Sequence, residues 1–114
     1  MSKQNRDPEA LVDIFNAAKD VVAFTNRISF DEFKTDKKTQ NATLYSIQII
    51  GEATKRLSVE FREANPQIVW RDMAGMRDKI VHDYNGINFD VVWGVVKKAI
   101  PELLEQVAEL ISDI

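Results

Sequence analysis

Apolar residues recur along this chain at spacings of three and four, the period of an amphipathic helix. Leu11, Ile14, Ala18, Val21 and Thr25 make the first stripe, widened by Phe15 and Val22. Asp7-Pro8-Glu9 reads as its start, with Asp as N-cap, Pro at the first helical position and Glu beside the positive end of the helix dipole. The pattern fades near Asn26 to Ser29. From Ser29 to Asp36 the chain is polar around Phe30 and Phe33, which predicts a short turn of helix or a loop. A second helix is predicted from about Asp36 to Ala64, on the seam Thr43, Ile47, Ile50, Thr54, Leu57 and Phe61. Each seam threonine can bond back to a carbonyl one turn earlier. Gly51 inside this helix costs about 1 kcal/mol relative to Ala, so a close helix contact is expected there. Asn65-Pro66 ends the helix, because the residue before Pro is pushed out of the α region.

A third helix, about Trp70 to Tyr84, stops at Asn85-Gly86, a sequence suited to a left-handed terminus. Asn88 can cap a fourth, whose stripe is Phe89, Val92, Val96, Ile100, Leu103, Val107, Leu110 and Ile114. Pro101 interrupts that stripe and predicts a kink, or two abutting helices. The sum is an all-α antiparallel bundle of four to five helices with a kinked C-terminal helix, in a single domain over residues 1–114.

Composition narrows the class. A chain of 114 residues with 45% hydrophobic and 29% charged residues can bury a core and is not a disordered type. Gly 4 and Pro 3 are too few for the frequent turns of a β-sandwich. Cys 0 removes disulfides and thiolate chemistry, which is compatible with a reducing, cytoplasmic setting. No apolar run is long enough to span a membrane, and Met1 to Arg6 is polar, unlike the start of a signal peptide. The net charge of −3 argues against holding duplex nucleic acid by broad phosphate neutralisation. It leaves room for an enzyme that meets RNA at one cationic point.

The single histidine, His82, lies in Arg77-Asp78-Lys79-Ile80-Val81-His82-Asp83-Tyr84. At about 100° per residue, Met73, Met76, Ile80 and Tyr84 share one side of the third helix, and His82 falls about 180° from Met73. Asp78 falls about 40° from His82, one turn before it, where it can accept a hydrogen bond from a ring nitrogen and fix the tautomer. Arg77 lies at the edge of the apolar arc. Arg can grip a phosphate through two N–H groups, and His can move a proton near neutral pH. The commoner alternative is a histidine that only complements the helix dipole, an ordinary i, i+4 pair, and Tyr84 as a core aromatic with its hydroxyl near the surface. Glu52, Lys55 and Arg56 read as a solvated face, and Lys37-Lys38 and Lys97-Lys98 as surface doublets. Trp70 and Trp93 read as core or interface anchors. One His without Cys makes a poor transition-metal site.

The octet resembles the R-[ND]-x-x-x-H-x-Y signature of HepT-like proteins, a branch of the HEPN (higher eukaryote and prokaryote nucleotide-binding) superfamily. Ile50-Gly51-Glu52-Ala53, Lys55-Arg56-Leu57, Pro66-x-Ile68-x-Trp70, Gly75-Met76-Arg77 and Val92-Trp93 carry the likeness from about residue 10 to 110. The resemblance implies a homodimeric, metal-independent RNA endonuclease without cofactor, the toxin of a type VII toxin–antitoxin pair. Arg77 and His82 of two protomers would form the cleavage site, with Asp78 supporting. A minimal (MNT-type) nucleotidyltransferase antitoxin would attach adenylate to Tyr84. The alternative is a non-catalytic HEPN subunit that pairs with such a transferase or binds nucleotide, and a third possibility is a purely structural helical dimer.

Overall fold

The computed structural model describes residues 5–113, so Ile114, the last position of the predicted stripe, lies outside the described residues. Helices run over Asp7–Thr25 (α1), Phe30–Thr35 (α2), Lys37–Arg56 (α3), Val59–Ala64 (α4) and Trp70–His82 (α5). After a 3-10 turn at Tyr84–Gly86 come Phe89–Gly94 (α6), a π-helical turn at Val95–Ala99 and Ile100–Ser112 (α7). There is no strand among the described residues, and the architecture is the expected all-α bundle. No helix among them is long and apolar enough to cross a membrane.

The predicted stripes make the core. Leu11, Ile14, Ala18 and Val21 of α1 meet Leu44, Ile47 and Ile50 of α3 and Ile100, Leu103 and Val107 of α7, all buried. Each of these Leu, Ile and Val side chains contributes about 1.5–3 kcal/mol through removal of apolar surface from water. α3 therefore lies between α1 on one side and α5 on the other. Phe33 of α2 is fully buried, 5.1 Å from the Trp93 ring and edge-on to Phe89 at 5.8 Å. A capping box starts α2: the Ser29 hydroxyl accepts from the Glu32 N–H, and the Glu32 carboxylate accepts from the Ser29 N–H. Thr54 bonds back to the Ile50 carbonyl at 2.8 Å as expected, whereas the buried Thr43 hydroxyl has no partner among the described residues.

Three expectations need correction. The predicted second helix is two, α3 and α4, because Leu57 turns extended (φ −66°, ψ 142°). Ser58 starts the new helix, its hydroxyl accepting from the Phe61 N–H. The break is held from a distance: Asp7 accepts from both the Ser58 N–H at 2.8 Å and its hydroxyl at 2.7 Å. Asp7 is thus occupied far from its own helix, and Arg6 stands at the α1 N-cap position without a side-chain cap. At the other correction, Asn85-Gly86, no residue adopts positive φ. A Cβ at Gly86 would meet first the Asp83 carboxylate, the end of an exposed side chain that accepts from Lys79 Nζ at 2.8 Å. At Pro101 the expected interruption takes the form of a π-helical turn that joins α6 to α7. Gly94, Val95, Ala99 and Ile100 all keep right-handed helical angles through the π turn. The wide turn comes just before Pro101 and leaves the proline in the first turn of α7, where its missing N–H does least harm.

Candidate active site on the α3–α5 face

The site begins with a glycine. A Cβ on Gly51 would collide with the Cβ of Arg77 and lie 2.8 Å from the Met73 carbonyl oxygen. Only glycine lets α3 and α5 approach this closely, which is the contact expected from its place inside a helix. The approach lays Arg77 across α3 with its side chain 25% exposed. One guanidinium N–H donates to Asp78 Oδ1 at 3.2 Å. Arg77 Nε stands 3.6 Å from Glu52 Oε1, an ion-pair distance that is too long for a hydrogen bond, and that nitrogen is buried without a hydrogen-bond partner.

Asp78 does not orient His82. Its Oδ1 is shared by Arg77 and by Lys55 Nζ at 2.5 Å. The Lys55 hydrogen bond first, then that from Arg77, holds the Asp78 carboxyl below the ordinary aspartate value. The expected Asp78–His82 pair is thus replaced by a lysine from the neighbouring helix, which offers a full charge where an imidazole offers none when neutral. Glu52 and Lys55, expected on a solvated face, belong to this cluster. Arg56 does not, since it turns to Asp13 at 2.6 Å. The signal was present in the sequence: Glu52 and Lys55 share one face at i, i+3 beside Gly51, with signs opposite to those of Arg77 and Asp78.

His82, the last residue of α5, is exposed. It lies five positions beyond Arg77, about 7.5 Å along the helix and about 140° around it. A single protomer therefore joins Arg77, Asp78, Lys55 and Glu52 by hydrogen bonds and ion pairs, and His82 makes no such contact with them. Tyr84 departs from the core position expected of it: it is 50% exposed, and its hydroxyl donates to Asn41 Oδ1 on α3. The helical count failed because α5 ends at His82 and a 3-10 turn carries Tyr84 outward. Trp70, by contrast, is the buried anchor expected, its indole N–H donating to the Asn65 carbonyl at 3.0 Å. Trp93 packs against Phe30 and Phe33 with Lys97 over its ring at 4.7 Å, and Lys97 also donates to the Thr25 carbonyl. Among the described residues no three His, Cys, Asp or Glu side chains gather to hold a metal ion.

Chemically, the cluster offers two cations for a phosphate and a solvated imidazole for a proton. The family model described as "Ribonuclease HepT-like" matches residues 14–110, from Ile14 in α1 to Leu110 in α7. The chain belongs to the Ribonuclease HepT-like family. Ribonuclease is the activity class that HepT-like membership carries, and the match takes in the whole bundle rather than the octet alone. A probable ribonuclease HepT of Thermococcus cleftensis is 43% identical over 103 residues, covering 90% of this chain and 92% of that protein. A candidate RNase of Methanocaldococcus jannaschii is 44% identical over 104 residues, covering 91% of this chain and 86% of its own. No solved structure matches this HepT-like chain.

Proposed function

We propose that this HepT-like chain is an RNA endonuclease whose site is completed by a second copy, and that it is the toxin of a two-gene pair. The observation that carries the reading is the disposition of the octet: Arg77 is held and charged on α5, and His82 is free at the end of the same helix. Cleavage by the neighbouring ribose hydroxyl needs a base to take the 2′ proton and an acid to protonate the leaving 5′ oxygen. One imidazole per chain serves one of these roles at a time. In a two-fold dimer, His82 of one copy takes the proton as the 2′ oxygen attacks phosphorus, and His82 of the other gives one as the P–O5′ bond breaks. The products are a 2′,3′-cyclic phosphate and a 5′ hydroxyl. Arg77, with Asp78 keeping its guanidinium in place, stabilises the charge on the phosphorane.

Tyr84 is the proposed site of control. Its exposed hydroxyl is open to an MNT-type nucleotidyltransferase once the bond to Asn41 is released. The phenolic oxygen attacks the α-phosphate of ATP, pyrophosphate leaves, and the tyrosine carries adenylate with one negative charge. That bulk and charge two residues from His82 oppose RNA.

The experiment is cleavage of single-stranded RNA by the purified full chain. His82→Ala and Arg77→Ala each abolish cleavage while helix content and dimer size stay unchanged. Wild-type dimer that leaves RNA intact at every stoichiometry overturns the enzyme reading. The second reading, a binding subunit, is favoured by the net charge of −3 and by Glu52 and Asp78 neutralising the site's cations. It requires a tight complex with the transferase and RNA left whole in its presence or absence.

A further inference from the structure

Beside the octet lies a groove of about 380 Å³ between α3 and the end of α5. Its walls are Asn41, Tyr45 and Gln48 from α3 and Val81 and Tyr84 from the far side, with Leu44 and Ile80 beneath. No charged side chain lines it. Tyr45 is 64% exposed, and with Val81 and Tyr84 it forms a cluster of exposed apolar surface. An exposed cluster of this kind on a folded domain marks a place of contact.

We infer that this groove is a nucleobase subsite, in which an unpaired base of the RNA stacks on Tyr45 next to the phosphate held at Arg77. The inference rests on the ribonuclease reading above. Three observations favour a base over other occupants. The groove offers aromatic faces with carboxamides at the rim, Asn41 and Gln48, which can serve both donors and acceptors on a base edge. Its volume lies within the range of about 300–1,000 Å³ typical of small-ligand clefts. Its lining is uncharged, and the cation Arg77 lies outside it, one turn of α5 before Val81, dividing base from phosphate.

The groove is also wired to the cluster. Gln48 Nε2 donates to Glu52 Oε1 at 3.1 Å, and the same oxygen is 3.6 Å from Arg77 Nε. A base that bonds to Gln48 therefore acts on the residue that faces the catalytic guanidinium. On the other wall, Val81 and Tyr84 flank His82 in the chain, and His82 itself does not line the groove.

The test measures binding of short single-stranded RNA to the full chain in the His82→Ala background, where the RNA is left uncut. Tyr45→Ala is compared with Tyr45→Trp, on intact RNA and on RNAs in which single nucleotides lack their base. Tyr45→Ala is expected to weaken intact RNA about 10- to 100-fold, from the strength of base–aromatic stacking, and Tyr45→Trp to bind at least as well as wild type. At one position, removal of the base should weaken wild type but not Tyr45→Ala. Equal affinity of wild type and Tyr45→Ala, or base removal that weakens both equally at every position, overturns the subsite. So does a Tyr45→Ala chain whose sedimentation shows a lost dimer, because the groove is then covered by a second copy. The two readings fail separately: RNA cut with indifference to Tyr45 sinks only the subsite, and Tyr45-dependent binding of RNA that wild type never cuts sinks only the nuclease.

Discussion

Arg77, in the middle of α5, is three-quarters covered and lies between carboxylates on two helices, whereas His82, at the end of the same helix, stands in solvent without a partner from its own chain among the described residues. The difference follows from what each residue packs on. Arg77 crosses α3 where Gly51 permits backbone contact; His82 is exposed in the last turn of α5. A guanidinium that must meet a phosphate gains from being oriented in advance, because less entropy is lost on binding. On the proposed reading, a proton carrier that a second copy completes gains from being left open.

The comparison is broken most severely by changing the fork while keeping the charge. Arg77→Lys retains a cation but loses the planar pair of donors, so RNA cleavage should fall about 100-fold or more while thermal unfolding moves little. A lysine variant with near-wild-type turnover would show that charge alone is needed. Gly51→Ala attacks the contact beneath Arg77. The gain in helix propensity of about 1 kcal/mol is outweighed by overpacking against a backbone carbonyl, for a net loss of about 1–2 kcal/mol in denaturant unfolding. Cleavage should fall with it, since Arg77 is displaced.

Gly75 sharpens the contrast with the opposite sign. It is in the same helix as Arg77, but a Cβ there meets nothing within 4 Å. Gly75→Ala should raise stability by about 0.5–1 kcal/mol without altering cleavage, and a loss of stability would mean that this face is not open. The smallest effect is expected at Asp78. Its carboxyl is lowered by Lys55 and then Arg77, so its contribution is complete above the unfolded aspartate value near pH 4 and fades as pH falls through the lowered one. Asp78→Asn should remove that part of the acid limb of the stability profile and leave the region above pH 5 parallel to wild type. A profile that changes only near neutrality would refute the assignment.

How much could be read in advance differs from one element to the next. The α1 stripe, the Phe33 turn, the Asn88 cap and the C-terminal stripe were legible because each depends on neighbours within one or two turns. The Leu57–Ser58 break was not, because the carboxylate that holds it comes from Asp7, fifty-one positions earlier. Tyr84 was misplaced for a related reason. A helical count is valid only while the helix lasts, and α5 ends two residues too soon. In the site, Arg77, Asp78, His82 and Tyr84 were all singled out, but Asp78 was assigned the wrong partner, and Glu52 and Lys55 were left on a solvated face.

The amino-acid order by itself determined which stretches coil, which side of each coil is apolar, and that an arginine, a histidine and a tyrosine share one short segment. Those properties come from backbone sterics and side-chain period, which act locally. Only the tertiary structure decided that Lys55 meets Asp78, that Glu52 faces Arg77, and that Tyr45 and Tyr84 wall one groove. Charges and faces on different helices become neighbours only when burial of the apolar stripes sets the helices side by side, and the absence of a Cβ at Gly51 then fixes how close two of them come.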